Sequence, residues 1–189
     1  VDEYESAKEK YEFLYNQKVD LVDSKKNLET LIKEIEDVVK NSFKEAYDEI
    51  DKNFNYMCKE ILNNSIGNLS LLDETDLLES GVELMVKFKN KKYQSLSLLS
   101  GGEKSMVAVA LIMAIFMYKP SPFTFFDEIE AALDESNTKR LLRKLKEFTD
   151  RSQFILITHN KHTMKESDQL YGVTMNKEIG ESKILSVVL

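Results

Sequence analysis

The sequence predicts an α/β domain, a mostly parallel sheet with flanking helices, from which one long coiled-coil helix projects. Three observations carry that expectation. From Asp2 to about Asn63 there is neither Gly nor Pro, and the stretch is dense in Glu, Lys, Asp and Leu. From Val82 onward, short apolar strands alternate with amphipathic helices. The chain of 189 residues is 42% hydrophobic and 31% charged, which suits a folded chain able to bury one core of ordinary domain size.

The long helix comes first. Tyr4, Tyr11, Lys18, Lys25, Ile32 and Val39 fall on heptad position a, and Ala7, Leu14, Leu21, Leu28, Ile35 and Ser42 on position d. All but the two lysines and the serine are apolar, so the seam asks for a partner helix and is weakest in its middle. A single helix with such a stripe is not stable alone. After Ser42 the spacing broadens: Phe43, Tyr47, Ile50, Phe54, Met57, Ile61 and Leu62 form a wider face, read as core packing where the helix enters a globular body. The expected division is a coiled-coil arm stub over 1–42 and a globular lobe over 43–189.

Val82 to Phe88 alternates as a half-buried strand, and Ser100 to Tyr118 reads as a helix. Phe123 to Phe126 is a short apolar strand, Glu135 to Thr149 an amphipathic helix, and Phe154 to Ile157 a second buried strand. Strands followed by helices imply parallel pairing and a covered sheet. Leu170 to Met175 and Ile184 to Leu189 supply the last strands.

A net charge of −7 argues against whole-surface attraction to DNA, which needs clustered Lys and Arg. Lys87, Lys89, Lys91 and Lys92 form one local basic cluster, read as a solvated loop. Cys58 stands alone, so no intrachain disulfide can form, and a reducing, cytoplasmic setting is expected. The longest apolar run, Met106 to Tyr118, is shorter than the roughly 20 residues a bilayer requires and reads as a buried helix. The start at Val1, already helical in character, is read as that of an excised fragment.

Three segments carry chemistry. In Leu99-Ser100-Gly101-Gly102-Glu103-Lys104-Ser105 a hydroxyl and two glycines open an apolar helix, where free N–H groups and the positive helix end attract phosphate. Ser100 and Glu103 equally fit a capping box that needs no ligand. Phe123-Thr124-Phe125-Phe126-Asp127-Glu128 is an apolar strand ending in two carboxylates, where parallel α/β sheets bind ligands. Asp127 there suits Mg²⁺ and Glu128 a water-polarising base. Phe154 to His159 repeats the design and delivers a histidine at a strand end. His162, three residues on, is assigned to a surface helix start.

Taken together with Lys119-Pro120-Ser121-Pro122-Phe123, Ala131-Ala132-Leu133-Asp134, Thr158-His159-Asn160-Lys161 and Leu170-Tyr171-Gly172-Val173-Thr174-Met175, this series resembles the C-terminal ATPase head lobe of structural maintenance of chromosomes (SMC) proteins of prokaryotic type, within the ABC-type ATPases. The likeness is close from about Ser95 to the end. It implies that Ser100, Gly101, Gly102, Glu103 and Lys104 belong to the signature motif that contacts ATP held by an opposite head. It implies Asp127 as the Walker B acid holding Mg²⁺, Glu128 as catalytic base, Ala131 to Asp134 as the D-loop and His159 as the switch histidine. Glu130 stands where the family commonly has Asp, beside the D-loop.

No Gly-x-x-x-x-Gly-Lys-Ser/Thr occurs in the sequence, so nothing in it can wrap the α- and β-phosphates. The resemblance implies that this loop lies on an N-terminal lobe, that ATP bridges two heads, and that the chain alone is inactive. The implied partners are that N-terminal lobe, a second SMC head, a kleisin subunit and DNA, without a membrane, at the cytoplasmic nucleoid. Two rivals are a double-strand-break repair ATPase of the same superfamily and a structural coiled-coil module with an inactive head.

Overall fold

A computed structural model describes residues 2–73, 75–89, 91–176 and 180–188. Helix α1 (Asp2–Ile61) runs without interruption for 60 residues, about 90 Å at the usual rise per residue. It stops where Asn63 and Asn64 both take left-handed backbone (φ 55° and 60°), a conformation Asn tolerates better than most side chains. Side chains from Glu3 to Ser42 are exposed, including the seam residues Tyr4, Tyr11, Leu14, Leu21 and Leu28. Burial begins at Phe43 and is complete at Phe54, Met57, Cys58 and Ile61, on the broadened apolar face.

Beyond α1 follow β1 (Ile66–Leu71), β2 (Val82–Lys87), β3 (Gln94–Ser95), a 3-10 turn (Leu96–Leu98) and α2 (Gly101–Tyr118). Then come β4 (Phe123–Asp127), α3 (Glu135–Glu147), β5 (Gln153–Ile157), α4 (Lys161–Glu166), β6 (Gln169–Asn176) and β7 (Glu181–Val188). Strands β1, β2 and β3 form one antiparallel sheet laid on the end of α1. Asp51 of α1 accepts a hydrogen bond from the Leu69 N–H at 2.6 Å, and the Tyr47 hydroxyl donates to the Leu69 carbonyl at 2.7 Å. Gly67 is required at this contact: a Cβ there would lie 2.5 Å from Cys58 Sγ and 2.7 Å from the Phe54 ring. Neither β1 nor β3 is foreseen by the sequence reading.

The core joins Phe54, Met57, Cys58 and Ile61 of α1 to Val107, Ala110, Met113 and Ala114 of α2 and Leu141, Leu142 and Leu145 of α3. Burial pushes the Cys58 thiol up to about 12, so it is an inert filler. On the sheet side, Phe126 and Phe154 stack 6.0 Å apart, and Phe116 meets Phe154 at 5.4 Å and Phe148 at 5.6 Å. This aromatic cluster fastens both core helices to one face of β4 and β5.

Three expectations are corrected. The sheet is not mostly parallel: among the described strands only β4 and β5 pair in parallel, from Phe123↔Gln153 to Asp127↔Ile157, while β6 and β7 form an antiparallel hairpin. Parallel pairing needs a crossover, and α3 is the one helix here that supplies it between neighbouring strands. Nor is the parallel pair covered on both faces: Phe123, Phe125 and Ile157 are 56%, 61% and 57% exposed, because α2 and α3 both pack on the Phe126/Phe154 side. Finally, α2 has 18 residues and is long and apolar enough, by length and composition, to cross a membrane. Its buried side packs instead against α1 through Ala110, Met113 and Ala114. The expected terminal strand is present as β7, with Leu189 outside the described residues.

Candidate functional site

Strand β4 ends at Asp127, whose exposed carboxylate follows the buried Phe126. Glu128 comes next with φ 45°, left-handed backbone that L side chains avoid at a cost of about 1 to 2 kcal/mol. Its N–H donates to the Ile157 carbonyl at 2.9 Å, so the neighbouring strand holds the turn in place. The turn lifts the Glu128 carboxylate towards the end of β5, where His159 Nδ1 lies 3.2 Å from Glu128 Oε1. The two side chains are 54% and 79% exposed, so the pair faces open solvent.

After Glu128 the chain coils through two short turns, with Ala131 N–H on the Glu128 carbonyl and Leu133 N–H on the Glu130 carbonyl, each at 2.9 Å. Asp134 then caps α3, accepting from the Asn137 N–H at 2.8 Å. Glu130, by contrast, turns inward and is buried, its carboxylate accepting hydrogen bonds from Thr158 and Thr163. His162 sits in the first turn of α4, 3.2 Å from Glu135 and joined to no other histidine by a hydrogen bond or ion pair among the described residues.

The second group gathers at the start of α2. The capping box is present in full: Glu103 N–H donates to Ser100 Oγ, and Glu103 Oε2 accepts from the Ser100 N–H at 3.1 Å and its hydroxyl at 2.9 Å. The Lys104 N–H closes the first turn on the Ser100 carbonyl at 2.9 Å. The N–H groups of Gly101 and Gly102 find no acceptor among the described residues, and a Cβ on Gly101 would meet nothing within 4 Å. Capping and anion binding are therefore compatible: the box satisfies one end of the turn and leaves donors and space at the other.

Lys91 is missing from the sequence reading of this turn. Its Nζ reaches Glu103 Oε1 at 2.9 Å while lying over the Phe88 ring at 5.4 Å, so the basic loop is partly engaged rather than simply solvated. The hydrogen bond from Lys91, joined by those from Ser100, holds the Glu103 carboxyl below the usual glutamate range. No periodic pattern connects residues 91 and 103; only the loop's return makes them neighbours.

The chain thus brings Asp127, Glu128 and His159 together and places Ser100 to Lys104 apart from them. No hydrogen bond or ion pair links the two groups among the described residues. Gly102 lies close to the turn before Asp134, a Cβ built on it standing 3.6 Å from the Ala132 carbonyl. No cluster of three or more His, Cys, Asp or Glu among the described residues could hold a metal alone. A single carboxylate such as Asp127 suits Mg²⁺ only when phosphate oxygens complete the shell.

Most of the chain matches a known family. Residues 5–181 fit the model described as the RecF/RecN/SMC N terminal domain. The chain belongs to the SMC family of chromosome-partition ATPases. The chromosome partition protein Smc of Fusobacterium nucleatum subsp. nucleatum is 60% identical over 98% of this chain, which spans 16% of that protein's length. A crystal structure of the Smc head domain with an extended coiled coil bound to the C-terminal domain of ScpA, from Pyrococcus furiosus, superposes with a TM-score of 0.80 at 33% identity. It covers 98% of this SMC chain and 46% of the solved one. A chain solved for the structural biochemistry of ATP-driven dimerization and DNA stimulated activation of SMC ATPases gives 0.72 at 34% identity, covering 78% of this chain and 89% of that one.

Proposed function

We propose that these residues form the C-terminal half of an SMC ATPase head, with 1–42 as the root of the coiled-coil arm and 43–189 as the lobe. The matching family model is named for an N terminal domain. The reading rests instead on the chain's own inventory: signature turn, acid pair and histidine in that order, and no phosphate-wrapping loop. The observation that carries it is Glu128, held in left-handed backbone beside Asp127 with its carboxylate 3.2 Å from His159. A polar pair at the carboxyl ends of parallel strands is where such a sheet does chemistry.

In the assembled enzyme, Glu128 accepts a proton from the water that attacks the γ-phosphate, and His159 orients that carboxylate. Asp127 would hold Mg²⁺ together with the nucleotide's phosphate oxygens, and the ion would supply charge neutralisation there. Ser100, Gly101, Gly102 and Lys104 meet the γ-phosphate of ATP bound by the opposite head, with Glu103 fixing the turn and Asp134 closing the D-loop. ATP therefore holds two heads together, and hydrolysis frees them, moving the attached arms and the DNA they enclose. Organising and segregating the chromosome at the cytoplasmic nucleoid is the resulting activity.

Partner surfaces agree with this. A cleft of about 1100 Å³ separates β5 from β6, and β5 pairs only with β4 among the described strands. Together with the bare Phe123, Phe125 and Ile157 face, it suits the missing N-terminal lobe adding a strand to β5. The exposed seam of α1 suits the returning helix of the arm. ScpA in the Pyrococcus complex makes a kleisin the expected bridging subunit.

The decisive experiment is Glu128→Gln in a head containing both lobes. ATP binding should persist while hydrolysis slows by at least about 10²-fold, the usual loss when a general base is removed. Unchanged turnover would take Glu128 out of that role.

A further inference from the structure

We propose that Glu130 is a positioning residue that locks the loop carrying His159 to the turn carrying Asp134, so that the Glu128–His159 pair depends on a buried carboxylate touching neither. The proposal rests on the catalytic reading of that pair given above.

Glu130 is only 6% exposed, and no Lys, Arg or His lies within ion-pair distance of it among the described residues. Its Oε1 accepts from the hydroxyls of Thr158 and Thr163, the latter at 2.9 Å. Thr158 Oγ1 accepts in turn from the Asn160 N–H at 2.9 Å, and Asn160 caps α4 through the His162 N–H at 2.8 Å. One oxygen therefore gathers both ends of the segment 158–163, with His159 between them. Through its backbone carbonyl, Glu130 also accepts the Leu133 N–H, fixing the turn that leads to Asp134.

His159 itself is 79% exposed and bonds only to Glu128 among the described residues. With its ring so exposed, its place follows from its backbone, which the flanking Thr158 and Asn160 hold. A buried carboxylate without a cation is a poor stabiliser, since an apolar residue of like volume avoids the desolvation cost. What it contributes is the geometry it imposes on the two threonines. Length matters as well: shortening the side chain by one methylene draws its carboxylate back from the point where one oxygen meets both threonine hydroxyls, so Glu130→Asp should behave as a partial loss.

The test uses a head with both lobes and measures kcat, KM for ATP, ATP-driven dimerisation and melting. Glu130→Ala should lower kcat by about 10-fold or more, within the range that small misplacements of catalytic groups produce, with KM and dimerisation little changed. Glu130→Gln, which keeps an acceptor oxygen, should recover most of the rate, and Glu130→Asp should fall between. Thr158→Val should repeat the loss, and the double variant with Glu130→Ala should be no slower than either single change. If Glu130→Ala fails to fold, Thr158→Val and Glu130→Gln carry the test. Unaltered kcat in Thr158→Val, additive losses, or a drop in dimerisation and melting matching that in kcat would overturn the proposal. A parent head whose turnover survives Glu128→Gln instead defeats the catalytic reading, and the role of Glu130 falls with it.

Discussion

Glu128 and Glu130 are two residues apart in sequence and have opposite fates. Glu128 is thrown outward by a left-handed backbone, and Glu130 is drawn inward to two threonines. Strand alternation does not separate them, because β4 ends at Asp127 and a turn decides each direction. Ser100 carries the next prediction: in a two-lobed head, Ser100→Arg should abolish the ATP-dependent dimer, since a long side chain fills the space beside Gly101, and light scattering reads the result. An undiminished dimer would remove the signature role. Lys91 yields a pH prediction. Glu103 has a lowered pKa in the folded state, so its contribution is present above the ordinary glutamate range and is lost as pH falls through the folded value. Lys91→Met removes the largest cause and brings the folded pKa back towards the unfolded one, so stability near neutrality should drop and the acid decline below about pH 5 should flatten, seen in melting curves from neutrality to about pH 3.

At the scale of elements, the C-terminal end of α1 is tied to α3 by Lys144. It lies buried on that helix, bonding Tyr56 at 2.7 Å and Glu60 at 2.9 Å on α1 and Glu147 at 2.7 Å. Burial alone would lower its pKa, but the hydrogen bonds it donates to Glu147, Tyr56 and Glu60 outweigh it and hold it above the usual lysine value. A raised folded pKa means that the contribution is complete below the unfolded value and fades only as pH rises through the folded one. Lys144→Met should therefore cost about 2 kcal/mol at neutral pH, the scale of hydrogen bonds to a charged group, and chemical denaturation measures it. Sequence reading foresees α1, α2 and α3 because their apolar spacing is helical and their ends carry Asn63, Ser100 and Asp134. It misses β1, whose Ile-Gly-Asn-Leu-Ser-Leu has too few apolar residues to stand out. That strand exists because Gly67 lets it lie against Phe54 and Cys58.

At the scale of the molecule, what remains open is as informative as what is packed. The Phe123, Phe125 and Ile157 face and the cleft beside β5 are apolar areas that a parallel sheet ordinarily buries. Phe125→Asp, distant in kind from the chemistry, should weaken association of this chain with a separately expressed N-terminal lobe. Co-purification of the two halves tests it, and recovery equal to that of the parent chain would mean that this face is not the joint.

The amino-acid order alone determined the long helix α1, its change from an exposed stripe to a buried face, the core helices α2 and α3, and which strand ends bear Asp127, Glu128 and His159. These are local matters of spacing, capping and apolar runs, written within a few turns of chain. Tertiary structure decided the rest: that Lys91 grips Glu103, that Lys144 joins α3 to α1, that Glu130 binds Thr158 and Thr163, and that one sheet face stays bare. Each of these joins residues brought together only when the core closes, by contacts whose partners leave no periodic mark in the sequence.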